Sequence, residues 1–279
     1  MIRFCQMFTR NNIVFRQVGT QGLFSGSFKD ALANSTNILI HSDNLPALMA
    51  IQKTLSNSIK CVYLDPPYNS GLNFNYGKDS RTSKDWLKFM QKRLKLIHNL
   101  ISSDGFLFLQ IDSRELHYVK VLLDKIFGRQ NYRNSIIIKK DKKTALTTKT
   151  VKQLDIAYHT VLVYSKNPET LLRKIRYGEN WLDLYANGHL TDFVHELNEQ
   201  VVARVLNWVT EPGDIVLDAF CGSGTTCAVA QKFGRRWIGI EQGEHCHTVC
   251  LPRLQAIAKD QGCENSIAFF EQSTSKGRG

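Results

Sequence analysis

A doubly wound, mostly parallel α/β sheet is the fold class that this sequence predicts, on three observations. Apolar runs of strand length alternate with runs of helical spacing along most of the chain. Four of those runs end in an acid, at Asp65, Asp112, Asp218 and Glu241, which is where open α/β sheets receive ligands. The run ending at Asp218 then enters a helix through a glycine-rich turn, Ala219-Phe220-Cys221-Gly222-Ser223-Gly224-Thr225.

Residues 1–36 stand outside this pattern as an N-terminal segment. The first clear strand is Asn37 to His41, followed by Asp43-Asn44 and a helix from about Leu45 to Leu55. Cys61-Val62-Tyr63-Leu64 reads as a buried parallel strand, apolar on both faces. A helix from Lys84 to Ile101 carries Trp86, Leu87, Met90, Leu94 and Ile97 at helical spacing. After Gly105, the run Phe106 to Ile111 forms a strand ending at Asp112, and a helix from Glu115 to Phe127 stops at Gly128.

The composition then changes. Lys139 to Lys152 holds six lysines (139, 140, 142, 143, 149 and 152) and one acid, too few apolar residues to build core. Thr160 to Tyr164 reads as a strand, and Leu171 to Leu190 mixes basic and aromatic residues, which suits contact with nucleic acid as well as the core of a small domain. We therefore set 129–195 apart as an insertion, with 37–128 and 196–272 as the sheet domain and 273–279 as a tail. In the second half, a helix from Glu199 to Val209 precedes Pro212-Gly213. The strand Ile215 to Leu217, the glycine turn, a helix to Phe233 and the strand Trp237 to Ile240 ending at Glu241 make a β-α-β unit.

A formal net charge of +11 favours a polyanionic partner. No apolar run approaches the roughly eighteen residues of a spanning helix, so a membrane partner is not expected. Seven cysteines without disulfide-type spacing suggest reduced thiols and a cytoplasmic protein. His245-Cys246-His247 with Cys250 invites a zinc reading, but no CxxC pair completes a familiar site, and no metal is expected.

Two motifs carry chemistry. In Asp65-Pro66-Pro67-Tyr68 the prolines stiffen the turn, leaving the Pro66 carbonyl as an acceptor beside the Asp65 carboxylate, with the Tyr68 ring as a stacking face. Two acceptors and a ring suit a planar amine such as a nucleobase. In Asp218 to Thr225 the glycines allow close backbone approach and the helix N-terminus offers N–H donors, with Glu241 placed to accept from ribose hydroxyls. The spacing Gly-x-Gly-Thr lacks the third glycine of a pyrophosphate site, which favours a smaller nucleoside conjugate over a dinucleotide.

Asp65-Pro-Pro-Tyr68 resembles the catalytic motif, and Asp218-Ala-Phe-Cys-Gly-Ser-Gly-Thr225 the cofactor loop, of S-adenosylmethionine-dependent DNA amino-methyltransferases. The catalytic motif precedes the cofactor loop with a basic segment between, the circular order of the beta group, which includes modification subunits of type III restriction systems. The likeness runs from about Asn37 to Leu254. It implies a seven-stranded-type Rossmann-like sheet, with 129–195 as the target-recognition insertion. It implies that Asp218, Phe220, Gly222, Gly224 and Thr225 cradle the methionine part of S-adenosylmethionine, that Glu241 holds the ribose and that Asp43 flanks the adenine. Family members usually carry Lys-Pro at the start of the helix before the cofactor loop, where, by spacing from Pro212, this chain has Leu197-Asn198.

The implied activity is site-specific methylation of adenine N6 in double-stranded DNA within a restriction-modification system, with the lysines 139 to 152 on phosphate. The resemblance also admits a homodimer and a cognate restriction endonuclease. Two alternatives stay open: a cytosine-N4 enzyme, and a non-catalytic DNA-binding homologue. Cytosine C5 methylation is excluded in the sequence, since it commonly uses a Pro-Cys nucleophile and none of the six prolines precedes a cysteine.

Overall fold

The structure, a computed structural model, describes residues 13–18, 28–33, 37–71, 73–74, 77–78, 81–140, 156–174, 180–186 and 197–274. Its elements in chain order are β1 (Ile13–Gln17), α1 (Phe28–Ala33), β2 (Asn37–His41), α2 (Asn44–Leu55), β3 (Ile59–Leu64), β4 (Asn73–Phe74), β5 (Gly77–Lys78), α3 (Ser83–Leu100), β6 (Ile101–Ile111), α4 (Leu116–Phe127) and β7 (Tyr132–Lys139). There follow β8 (Tyr158–Ser165), β9 (Asn180–Tyr185), α5 (Glu199–Val209), β10 (Ile215–Asp218), α6 (Thr225–Lys232), β11 (Arg236–Glu241), α7 (Leu251–Asp260) and β12 (Ile267–Thr274).

Ten of the described strands form one sheet in the order β1-β12-β2-β11-β10-β3-β6-β8-β7-β9. The six from β12 to β6 are all parallel to their neighbours, while β8 pairs antiparallel with both β6 and β7, and β1 antiparallel with β12. The apolar strands are buried on both faces because helices cover both. On β3, Val62 and Leu64 face one core with Trp86, Met90, Leu94 and Leu123 of α3 and α4. Cys61 and Tyr63 face the other, with Val202, Val205, Leu206, Ala228 and Leu254 of α5, α6 and α7. A period of two along a strand between two helical layers yields this division.

Local chemistry sets the helix ends. The Thr82 hydroxyl caps α3 by accepting from the Asp85 N–H at 3.2 Å. The Asn198 side chain caps α5 by accepting from the Gln200 N–H at 2.8 Å, which accounts for an asparagine at that position. Gly128, at φ +91°, ends α4.

Two boundaries set in the sequence change. The segment 129–195 contributes β7, β8 and β9 to the common sheet, so it is not set apart from it. Residues 1–36 supply the edge strand β1. The β7 sequence Tyr-Arg-Asn-Ser-Ile-Ile-Ile-Lys alternates in burial only at Ile136 and Ile138, and the neighbouring lysines obscured it. Lys142, Lys143, Lys149 and Lys152 lie outside the described residues. No helix among the described residues is long and apolar enough to cross a membrane.

Candidate active site

β3 and β10 are adjacent and parallel, and the chain leaves them in opposite directions across the sheet, β3 toward β6 and β10 toward β11. The carboxyl ends on either side of such a reversal frame a crevice. Asp65 follows β3 and Asp218 ends β10, so the two motifs, far apart in sequence, open onto one cavity of about 250 Å³. Asp65, Pro66, Pro67, Tyr68, Asp218, Phe220, Gly222, Thr225 and Glu241 all line it, as do Gln110, His159 and Lys140.

On the Asp65 side, the Trp86 indole donates to the Pro67 carbonyl at 2.7 Å, tying the stiff turn to the buried face of α3. The carbonyl of Pro66 is left out of that tie. The Tyr68 hydroxyl donates to Asp65 Oδ1 through a short hydrogen bond. Gln110, on β6, donates from Nε2 to the Tyr68 hydroxyl at 3.0 Å, and accepts at Oε1 from the Tyr63 hydroxyl at 2.8 Å. Its Nε2 also lies 3.3 Å from His159 Nδ1, and because the amide is the donor, Nδ1 is the acceptor. The His159 ring meets the Tyr68 ring edge-on at 5.1 Å. Among the described residues these contacts fall on Oδ1 of Asp65, leaving Oδ2 without a hydrogen bond.

The electrostatics follow from burial. Withdrawal from water pushes the Asp65 carboxyl up to about 7, with the Tyr68 hydrogen bond opposing the rise and Asp112 adding to it. Burial lowers His159 to about 4, aided by Lys140 and Arg114, so the ring is neutral at pH 7. Beyond the turn, Asn69 at φ +58° donates to Glu115 at 2.8 Å and exchanges hydrogen bonds with the Arg81 backbone, which holds the turn to the start of α3.

On the Asp218 side, the carboxylate accepts from the Phe220 N–H at 2.9 Å, and burial drives it well above the ordinary range. Burial also pushes Glu241 up, but His245 and the backbone N–H groups outweigh it and hold this carboxylate low. Those donors are Gly222 at 2.8 Å, Gln242 at 2.9 Å and Gly243 at 2.8 Å, so Glu241 shapes the glycine loop as well as lining the cavity. Arg253 braces the loop from α7, donating to the Ser223 hydroxyl and to Thr225 at 3.2 Å each while paired with Glu199. Gly224, at φ +85°, contributes only backbone. A Cβ there would come within 2.8 Å of Cys250 Sγ.

Three expected site residues, Gly224, Asp43 and Lys139, lie off the cavity. The Asp43 carboxylate caps α2 and pairs with Arg93 at 3.0 Å, while its neighbours Ser42 and Asn44 line the cavity. Lys139, exposed at the end of β7, stands over Tyr185 and off the cavity, whereas Lys140 lines it. In the cysteine-histidine run, Cys246 and Cys250 are buried behind the glycine loop, while His245 turns to Glu241 and His247 elsewhere. Sequence reasoning missed Gln110, His159 and Arg93. Gln110 was detectable as an amide inside an apolar strand; His159 carried no signal, lying one residue before the expected strand.

Fold and site together define a Rossmann-like α/β protein in which a glycine loop and an acid-proline turn share one cavity. The chain belongs to the DNA methylase family of N6/N4 type, whose model matches residues 59–251. It is 36% identical over 136 residues to the probable type III restriction-modification enzyme HindVI Mod subunit of Haemophilus influenzae, covering 48% of this chain and 18% of that protein. To the DNA adenine methyltransferase YhdJ of Escherichia coli it is 24% identical over 257 residues, 81% of this chain and 85% of that one. The fold matches the crystal structure of the M1.HpyAVI-SAM complex with a TM-score of 0.57 at 20% identity, over 78% of this chain and all of the other. The chain spans 18 to 33% of the length of four restriction-modification relatives that it matches.

Proposed function

We propose that this chain transfers a methyl group from S-adenosylmethionine to the N6 amine of adenine in duplex DNA, as a restriction-modification methyltransferase. The observation that carries the reading is one shared cavity, lined by Asp65 to Tyr68 and also by Asp218 to Ser223, Thr225 and Glu241. The residues fit the cofactor chemically. Buried carboxyl groups at Asp218 and Glu241, and a glycine loop whose Gly222 lines the cavity without a side chain, suit a compact ligand with an amino acid end and a ribose. Phe220 and Thr225 complete that wall. When bound, S-adenosylmethionine supplies an electrophilic methyl group on a sulfonium.

The protein's part is to hold and polarise the amine. An exocyclic amine is a weak nucleophile because its lone pair is delocalised into the ring. Asp65 Oδ2 and the Pro66 carbonyl each accept one of its N–H bonds, which drives the nitrogen toward tetrahedral geometry and frees the lone pair. Positioning and electrostatics supply the rate, without a covalent enzyme intermediate. The Tyr68 ring stacks on the base once it is flipped out of the duplex. Adenine is preferred because Asp65 at the first motif position resembles the adenine enzymes. The net charge of +11 supports the DNA partner.

The test incubates the protein with methyl-labelled cofactor and unmethylated duplex DNA, then digests and identifies the modified nucleoside. N6-methyladenine is expected. N4-methylcytosine would replace the adenine reading with the cytosine one, and DNA binding without label would sink the enzyme reading altogether.

A further inference from the structure

Behind the cavity wall, three side chains from distant parts of the chain converge. His41 ends β2, Glu271 lies on β12, and the two strands are paired with these residues in register. His247 lies in a π-helical turn, Cys246–Cys250, that leads into α7. His41 Nδ1 and His247 Nε2 are 2.9 Å apart, His247 Nε2 and Glu271 Oε1 3.0 Å, and His41 Nδ1 and Glu271 Oε1 4.0 Å.

The orientation of His41 is fixed from outside the group. Its Nε2 lies 3.2 Å from the Gln242 carbonyl, which can only accept, so Nε2 carries the proton. Nδ1 therefore presents a lone pair to His247 and Glu271. A second hydrogen-bonding partner that sets the tautomer of a histidine is the usual support of a metal-binding imidazole. In a tetrahedral zinc site with bonds of about 2.0–2.1 Å, donor atoms stand roughly 3.3 Å apart, and the three separations here bracket that value. Two imidazoles and one carboxylate form a set that zinc accepts with a fourth position open. All three side chains are partly buried, at 18, 34 and 18% exposure for His41, His247 and Glu271. A π-helical turn is itself rare and concentrates at functional positions.

We propose that His41, His247 and Glu271 form a binding site for a late first-row divalent cation, Zn²⁺ foremost, on the outer side of the cavity wall. The ion takes the place of the hydrogen between His247 Nε2 and its two neighbours, and that hydrogen moves to Nδ1 of the same ring, so the imidazole that binds is the neutral one. It pins the ends of β2 and β12 to the π-helical turn. His41 is in register with Glu241 on β11, and Ser42, Gln242 and His245 line the cavity, so the ion stiffens the wall that holds Glu241. Its role is to support the site, since it has no contact with the reacting groups.

The 279-residue chain is to be titrated with Zn²⁺ alone by equilibrium dialysis, and with Co²⁺ as a spectroscopic stand-in. One equivalent should bind, with visible Co²⁺ bands but without the near-ultraviolet charge transfer that a thiolate ligand gives. That spectrum distinguishes this site from the buried thiols Cys221, Cys246 and Cys250. His247→Ala and Glu271→Ala should each weaken binding by at least about tenfold, with far-ultraviolet circular dichroism reporting that each variant remains folded. If either variant fails to fold, the stoichiometry and Co²⁺ spectrum of the unaltered protein decide. Failure of the unaltered chain to take up an equivalent of Zn²⁺, a thiolate spectrum, or unchanged affinity in both folded variants overturns the proposal, leaving a hydrogen-bonded triad.

Discussion

In the proposed reaction Asp65 concentrates the chemistry in one carboxyl group, and its protonation would give that reaction a pH signature. An acceptor of amine hydrogens must be ionised, and burial has raised this group to about 7. Activity should therefore rise with pH through about 7 and then level off, the slope on the acid side reflecting one proton. The stability linkage runs the other way. A carboxyl whose folded pKa exceeds its unfolded value favours the folded state when protonated, fully so below the unfolded value near 3.8. That contribution is lost as pH climbs through about 7. Asp65→Asn should abolish turnover, by roughly a hundredfold or more, while leaving cofactor affinity largely intact. It should also flatten the decline in stability between about pH 4 and about pH 7, read from denaturant midpoints. A variant that still methylates would remove Asp65 from its role; one that keeps the same pH dependence of stability would mean that other groups cause it.

At the scale of elements, the glycine turn between β10 and α6 shows how packing rather than ligand contact can fix a motif. Gly224 lies off the cavity, yet at φ +85° with Cys250 Sγ behind it the position has no room for a Cβ. Gly224→Ala should cost about 1–3 kcal/mol of stability through backbone strain and overpacking. It should weaken cofactor binding by displacing the N–H groups of the turn. Denaturant titration and equilibrium cofactor binding check the two effects; an alanine variant as stable as the parent would mean that the turn can relax.

β3 and β10 were legible in the sequence because strands buried on both faces appear as continuous apolar runs, and their terminal acids marked the ligand side. β7 was not, since only two of its residues alternate cleanly into the core and its end merges with the lysine run. The role of Asp43 was misplaced for a similar reason: spacing put an acid after β2, but only the fold brings Arg93 of α3 to claim it. The triad of His41, His247 and Glu271 was beyond sequence reading altogether. It depends on β12 returning beside β2, and on a π-helical turn that no residue pattern announces.

Across the whole molecule, the charge of +11 raises the question of whether DNA is held by a general field or by local contacts. The two predict different outcomes when equal numbers of lysines are neutralised in different places. Lys139, exposed at the end of β7, begins the basic run that continues to Lys142 and Lys143, next to Lys140 at the cavity. Lys92, Lys95 and Lys125 are exposed on α3 and α4 and lie outside that run. Changing either trio to glutamine removes the same three charges. If the basic run binds phosphates, the Lys139, Lys142 and Lys143 variant should flatten the dependence of log affinity on log salt, by about one unit for each phosphate no longer neutralised. The Lys92, Lys95 and Lys125 variant should leave that slope unchanged while carrying the same net charge. Fluorescence anisotropy with duplex DNA over a series of salt concentrations measures both. Equal slopes in the two variants would assign the affinity to the field of the whole protein and leave the lysine run as solvated surface.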